Sequence, residues 1–368
     1  MANDKKLTNI KEVYSLKTFI KDPKQSITNT LFGYNTTLIK PPLITNSENV
    51  GYIFFTRPQL NLSVSNIINN RKMYQLLSSK HLSPSAYVRK ILDPRVRYDF
   101  KDELSLDYKV YNIFGNKIPY PFIPVLSNAI NSVSGSPDIV LPTFTSQEGR
   151  KREQYSQGDG ITDVNYTYDL DISFRNIAGG IIVLLFQIWT EYISSVFQGY
   201  MYPYLDFIAE NEIDYMCRIY RIILNQAGTH VSKIMATGVS FPLNFPSGQF
   251  FDYTDNSSYL NNSRDITIRF RCIGSIFNDP ILIKEFNDTV DIFSENSDKF
   301  HSFRTDSNSS SDNDTRDYVA IKNYNHIGFF NYRCFPYINE ETNEFLWLTP
   351  KTEFRNIKNI DRNNFKDS

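Results

Sequence analysis

Asp169 and Asp171 stand two residues apart, and paired carboxylates at that spacing can share general acid–base work. They lie in "YTYDLDISF", where Asn165, Thr167 and Ser173 fall on the same side, which is the composition of a solvated or interfacial strand face. Arg269 and Arg271, with Arg264 just before them, offer a basic strand face of the kind that meets phosphate. Asp265 lies among them, so the charge is mixed and salt bridges between subunits are the expected use. In "VGYIFFTRPQLNLS", Arg57-Pro58 interrupts an apolar run with a cation and with a residue that cannot donate to a strand ladder.

Other chemistry is excluded by type and spacing. The four histidines, His81, His230, His301 and His326, stand apart from one another and from Cys217, Cys272 and Cys334. Three cysteines without paired spacing make neither a disulfide framework nor a zinc site, and buried free thiols are expected. There is no glycine-rich phosphate loop, GxSxG or HExxH. Gln157-Gly158-Asp159-Gly160 lacks the further ligands of an ion-binding loop and reads as a turn with glycine at positive φ. No catalytic residue, cofactor or metal is expected.

The chain has 368 residues, with 39 Lys+Arg against 40 Asp+Glu and a formal charge of −1. That balance gives no global electrostatic case for binding nucleic acid or an anionic membrane. Hydrophobic residues make up 41%, and 24 Tyr and 28 Phe against 2 Trp favour half-buried strand positions. The N-terminus has no apolar h-region, so no secretory signal is expected. In residues 176–197 the unbroken apolar run is only Ile181–Phe186, too short for a membrane span, and it predicts a core helix.

These candidate residues must be held by strands. Val164, Tyr166, Tyr168, Leu170, Ile172 and Phe174 alternate with polar residues, as do Ile266, Ile268, Phe270 and Cys272. Both patterns predict antiparallel strands with one buried and one polar face. A further strand is expected from Val50 to Val64, with others in "DYMCRIYRIIL" and "VSKIMATGVSFPLNF". Residues 66–111 read as helical, Ser83 as an N-cap before Pro84, and Pro94 as a stop. Residues 120–144 read as extended with proline turns, 145–160 as a hairpin tip, and 294–317 as a Ser/Asn/Asp-rich linker. "NEETNE" predicts a hairpin turn in an aromatic C-terminal segment. Tyr324, Tyr332, Tyr337 and Trp347 there suit sugar stacking or core packing equally.

The order of elements from Leu141 to Phe277 resembles the tail tube protein fold of contractile-tailed bacteriophages and related injection machines. "LPTF", "YTYDLDISFRN", "LLFQIWTEYI" with Trp189, and "ITIRFRCIGS" fill the family's turn, strand, helix and last-strand roles, and "FTRPQLNL" resembles its first strand. The resemblance implies an α+β, mainly antiparallel β fold, a tail-tube-like β-sandwich or barrel with a packed helix. Around it stand an N-terminal extension (1–45), the tube-like domain (46–65 and 117–290), a helical insertion (66–116), a linker (291–317) and a C-terminal aromatic β extension (318–368).

It further implies a structural virion protein that is not an enzyme, forming a ring of the tail tube or baseplate as a tube initiator in a large AT-rich phage. The implied partners are its own copies in a hexamer, adjacent tube, hub, baseplate or sheath proteins, and DNA passing without specific binding. The implied location is the virion tail, and the host cytoplasm during assembly. Asn165, Thr167, Asp169 and Asp171 would line the lumen, and Arg57, Arg269 and Arg271 would meet neighbouring subunits. A neck or tail-terminator protein is the alternative, followed by a carbohydrate-binding module or an enzyme.

Overall fold

Strict alternation of apolar and polar residues builds the centre of the molecule. The computed structural model describes residues 51–77, 83–93, 121–160, 166–251, 255, 264–293, 318–321 and 335–350. The chain runs through β1 (Gly51–Phe55), α1 (Val64–Ile67), a 3-10 helix (Arg71–Leu77) and α2 (Pro84–Leu92). It continues through α3 (Pro124–Ala129), β2 (Ile130–Ser134), the short β3 (Thr143–Thr145) and β4 (Ser156–Gly158), and β5 (Thr167–Arg175). Next come α4 (Ile181–Phe197), α5 (Leu205–Glu210), β6 (Ile219–Leu224) and β7 (Val231–Pro242). After a 3-10 turn at Gly248–Phe250 follow β8 (Asp265–Phe277), α6 (Ile281–Phe293), β9 (Tyr318–Ile321), β10 (Phe335–Ile338) and β11 (Phe345–Pro350).

Six strands form an antiparallel sheet in the order β1-β6-β7-β8-β5-β2, and three form a second sheet in the order β10-β11-β9. The large sheet is open, because its end strands β1 and β2 do not pair with each other. The fold is thus α+β and mainly antiparallel β, as the alternation requires.

Two cores flank the large sheet. On one face Leu170, Ile172 and Phe174 of β5 and Ile266, Ile268 and Phe270 of β8 meet Ile182, Leu185, Phe186, Trp189 and Tyr192 of α4. Those helix positions repeat at three and four residues, so one stripe of α4 is buried along its length. Val88 and Leu92 of α2 close the same core. On the opposite face Phe54, Tyr220, Ile222, Leu224, Ile234 and Ala236 meet Leu282, Phe286 and Val290 of α6 and Tyr337, Ile338, Phe345 and Leu348 of the small sheet. Asn287 of α6 fixes that contact. Its Nδ2 donates to Ile338 O at 2.8 Å and its Oδ1 accepts from Ile338 N at 3.1 Å, occupying both backbone groups of a strand-end residue. The C-terminal segment therefore shares a core with the main sheet.

The same strands serve both cores because β7 and β8 reverse their facing together. Ala236 pairs with Ile276 on the α6 side, whereas Ser240 pairs with Cys272 on the α4 side. All four positions are even-numbered, so one extra half-turn of the pleat lies between them. Gly238 and Gly274 stand opposite each other there, between the pairs Thr237–Ser275 and Val239–Ile273. Gly274 has φ of 69°, and a Cβ on Gly238 would sit 2.5 Å from Ile273 O. A side chain at Gly238 would push the partner strand aside, and one at Gly274 would be held in a left-handed backbone conformation.

Several expectations meet their elements. Ser83 caps α2, accepting from Ala86 N, with Pro84 in its first turn. The turn Asn339–Glu344 joins β10 to β11, and β3 and β4 form the hairpin expected around residues 145–160. Cys217 and Cys272 are buried free thiols. Cys334, His81, His301, His326 and residues 294–317 lie outside the described residues.

Two expectations are corrected. The first strand stops at Phe55 instead of Val64, since Pro58 has no N–H to continue the ladder and Thr56 bridges to Phe122. Residues 120–144 begin with the short helix α3, because Pro124 opens a first helical turn.

Candidate functional site

The polar face of β5 and β8 brings the candidate residues together. Their register places Thr167 opposite Ile273, Asp169 opposite Arg271, Asp171 opposite Arg269, Ser173 opposite Thr267, and Arg175 opposite Asp265. Directly opposed side chains on one sheet face are close enough to bond. Arg271 Nε donates to Asp169 Oδ1 at 2.5 Å and Arg269 Nε donates to Asp171 Oδ1 at 2.8 Å. At the edge, Asn131 Nδ2 of β2 donates to Asp265 Oδ1 at 2.6 Å. The hydrogen bond and charge of Asp171 hold the Arg269 guanidinium above its usual range. Both pairs are solvent-exposed and screened, so the ladder sets the character of the face more than the stability of the fold.

Asp169 and Asp171, expected on a lumen wall, and Arg269 and Arg271, expected at bridges with other subunits, share one face and pair within the chain. The paired strands carry three carboxylates (Asp169, Asp171, Asp265) and three guanidinium groups (Arg175, Arg269, Arg271) on that face, so it is neutral, not acidic. Thr167 lies at its end, and Asn165 lies outside the described residues.

Arg57 is elsewhere, 5% exposed within its own chain. Its Nε donates to Ile91 O at 2.9 Å and its second terminal nitrogen donates to Lys90 O. Those carbonyls belong to the last turn of α2, so the guanidinium lies at the helix C-terminus. Burial pulls the Arg57 guanidinium down to about 10, with Asp93 acting against the shift. The expected subunit contact is thus an internal cap on a helix C-terminus.

Around it runs a buried polar cluster that sequence reading did not find. Asp93 Oδ2 accepts from Leu62 N and from the Tyr204 hydroxyl, both at 2.8 Å. Arg89 Nε donates to Leu62 O at 2.9 Å. The Tyr192 hydroxyl donates to Asp214 Oδ2 and accepts from Asn61 N at 3.2 Å, and Gln59 N donates to Asp214 O at 3.0 Å. The irregular segment after β1 is therefore satisfied by α2, α4 and the turn before β6. The nearest signal in the sequence was the unexplained Arg-Pro pair. The partners lie 22 residues or more apart and follow no periodic pattern.

Burial raises the Asp214 carboxyl above its ordinary value despite the Tyr192 hydrogen bond. The folded chain therefore binds this proton at a pH where the unfolded chain has released it. The resulting stability is full below the ordinary carboxylate value and is lost as pH rises through the folded value. Asp214→Asn keeps an oxygen for Tyr192 and removes the titration. Urea unfolding should show wild type gaining on the variant as pH falls from 7 towards 4. A constant difference across that range would reject the account.

Among the described residues no group of His, Cys, Asp and Glu is placed to hold a metal ion, and no helix is long and apolar enough to cross a membrane. Among solved structures, the chain is similar to the tube-terminating cap of the anti-feeding prophage, at 17% identity and a TM-score of 0.26, covering 45% of this chain and 84% of that one. It is also similar to the sheath/tube terminator of the extracellular contractile injection system PVC in the extended state, at 18% identity and a TM-score of 0.24, covering 43% and 87%. No curated protein matches the chain by sequence. A family model described as "Putative phage tail tube protein" matches residues 4–366, taking in the segments read as additions to a shorter core. The chain belongs to this family of phage tail tube proteins.

Proposed function

We propose that the chain assembles into a ring, a hexamer, that initiates the tail tube at the baseplate and lines the channel through which DNA leaves. The observation that carries this reading is the open six-stranded sheet with a neutral, ion-paired face, in a chain of the tail tube family. An open sheet has two edges that must be covered or paired. At β1 the Phe55 carbonyl is taken by Ile123 N at 2.9 Å, and we place a neighbour's strand along the start of this end strand. At the other end β2 offers its outer edge, and joining β2 of one copy to β1 of the next closes a ring by rotation.

The ladder of β5 and β8 then faces the channel. A wall whose carboxylates and guanidinium groups neutralise one another neither holds phosphates nor repels them strongly. α4 and α2, on the other face of the sheet, stand away from the channel and are available to hub, baseplate or sheath proteins.

The test separates charge from packing. Asp169→Lys with Asp171→Lys turns the ladder into a row of cations and should slow DNA ejection from assembled virions by roughly tenfold, since each added phosphate contact strengthens binding. Inverting both pairs (D169R/R271D with D171R/R269D) restores neutrality and should restore ejection. Equal ejection by all three particles would reject the channel assignment. Gold labelling at the tail end distal to the baseplate would reject the initiator role.

A further inference from the structure

Two exposed surfaces are left over by the sheet, its cores and the ladder. The first is the arm made by β3 and β4. Its ladder runs from Asp159 N to Pro142 O (2.8 Å), through Ser146 N to Tyr155 O (2.8 Å), to Gly149 N and Glu153 O (2.9 Å) at the tip. At about 3.4 Å per residue the paired part is on the order of 24 Å long. No residue from 139 to 160 is buried, although Val140, Leu141, Phe144 and Tyr155 are apolar or aromatic. The tip carries Arg150, Lys151 and Arg152 in succession. Arg152 pairs with Glu148 at 3.8 Å, whereas the side chains of Arg150 and Lys151 have no ion-pair partner among the described residues.

The second surface runs from the end of α4 through α5. Phe197, Tyr200, Tyr202, Leu205, Ile208 and Ile213 are all exposed, with Leu205 at 82% and Phe197 at 79%. Six large exposed apolar or aromatic side chains within 17 residues are more than the single scattered ones usual on a monomer surface. Asp206, Glu210 and Glu212 stand exposed among them, and no Lys or Arg occurs between Phe197 and Asp214. One surface is thus apolar with a basic tip, the other apolar with an acidic border.

We infer that the β3–β4 arm of one copy docks on the α5 surface of the next copy, its apolar strands covering Leu205 and its neighbours and its basic tip meeting Asp206, Glu210 and Glu212. The inference rests on the ring reading, which sets copies side by side so that each arm has a neighbour's surface at hand. Arm and receptor differ, so the contact is head-to-tail, and repetition around a closed ring uses every arm and every surface once. Charge sets the register of such a contact and discourages misaligned ones.

The test uses the full chain, with assembly followed by light scattering and negative-stain imaging. Arg150→Glu with Lys151→Glu reverses the tip, and Glu210→Lys with Glu212→Lys reverses the surface. All four residues are exposed, so circular dichroism of the monomers should be unchanged. Either pair alone should weaken assembly by roughly tenfold or more, and the four together should recover most of the loss. Wild-type rings that neither reversal disturbs, or reversals whose effects simply add, would overturn the docking and leave the ring reading standing. That first outcome is also the one expected if a different protein covers the surface. A wild-type chain that stays monomeric at every concentration would overturn both.

Discussion

Asp93→Ala lowers the unfolding free energy by about 3–5 kcal/mol, the usual consequence of removing one partner from a buried charged cluster. Asp93 is fully buried, and its Oδ2 is the shared acceptor for a backbone N–H of the segment after β1 and for the Tyr204 hydroxyl. It is also the carboxylate that offsets the desolvation of the buried Arg57 guanidinium. Alanine leaves two donors without their acceptor and a buried cation without its counter-charge, while opening a small cavity. A double-mutant cycle separates these causes. Arg57→Met with Asp93→Leu removes both charges and fills both volumes, and should recover at least half of the loss, since apolar replacements of buried pairs are often neutral. If the double variant is as unstable as Asp93→Ala in urea, the charge argument fails and hydrogen bonding accounts for the cluster.

Trp189→Ala is expected to cost a similar amount, about 3–5 kcal/mol. The indole is fully buried, lying parallel to Phe186 with centroids 6.2 Å apart and an interplanar angle of 2°, and meeting Phe270 edge-on at 6.4 Å and 78°. Its Nε1 donates to Tyr215 O at 3.0 Å, tying α4 to the turn that leads into β6. Truncation loses the transfer free energy, leaves a cavity between helix and sheet, and orphans the Tyr215 carbonyl. Trp189→Phe keeps most of the apolar contact while removing the donor and part of the ring volume, so it should cost about 1–2 kcal/mol. Equal losses for the two variants would mean that the hydrogen bond dominates. A loss below about 1.5 kcal/mol for Ala would mean that the core recloses around the gap.

What could be read from the residues was whatever is encoded locally. The alternation in β5 and β8, the stripe of α4, the Ser83-Pro84 helix start and the turn between β10 and β11 each depend on neighbours within a dozen residues. What escaped depends on register. Asp169 and Arg271 are 102 residues apart, and nothing in either segment states that they meet. A basic strand and an acidic strand therefore looked like two surfaces with two roles. Arg57 misled for a related reason. A cation after an apolar run suggests an exit to solvent, but its partners are helix carbonyls 33 and 34 residues later. Pro124 misled through ambiguity, since proline opens a helix as readily as it ends a strand.

The paired glycines of β7 and β8 have a consequence for how the molecule comes apart. Because the facing reverses at Gly238 and Gly274, the two cores meet along a narrow seam and do not share a broad wall. A side chain lost at Ile234 weakens the layer of α6 and the small sheet, while one lost at Phe270 weakens the layer of α4. The molecule should therefore open as two cooperative units hinged on common strands, the layer of α6 and the small sheet opening while the layer of α4 stays closed. Amide hydrogen exchange would register that as two protection levels within one continuous strand, changing at a single residue.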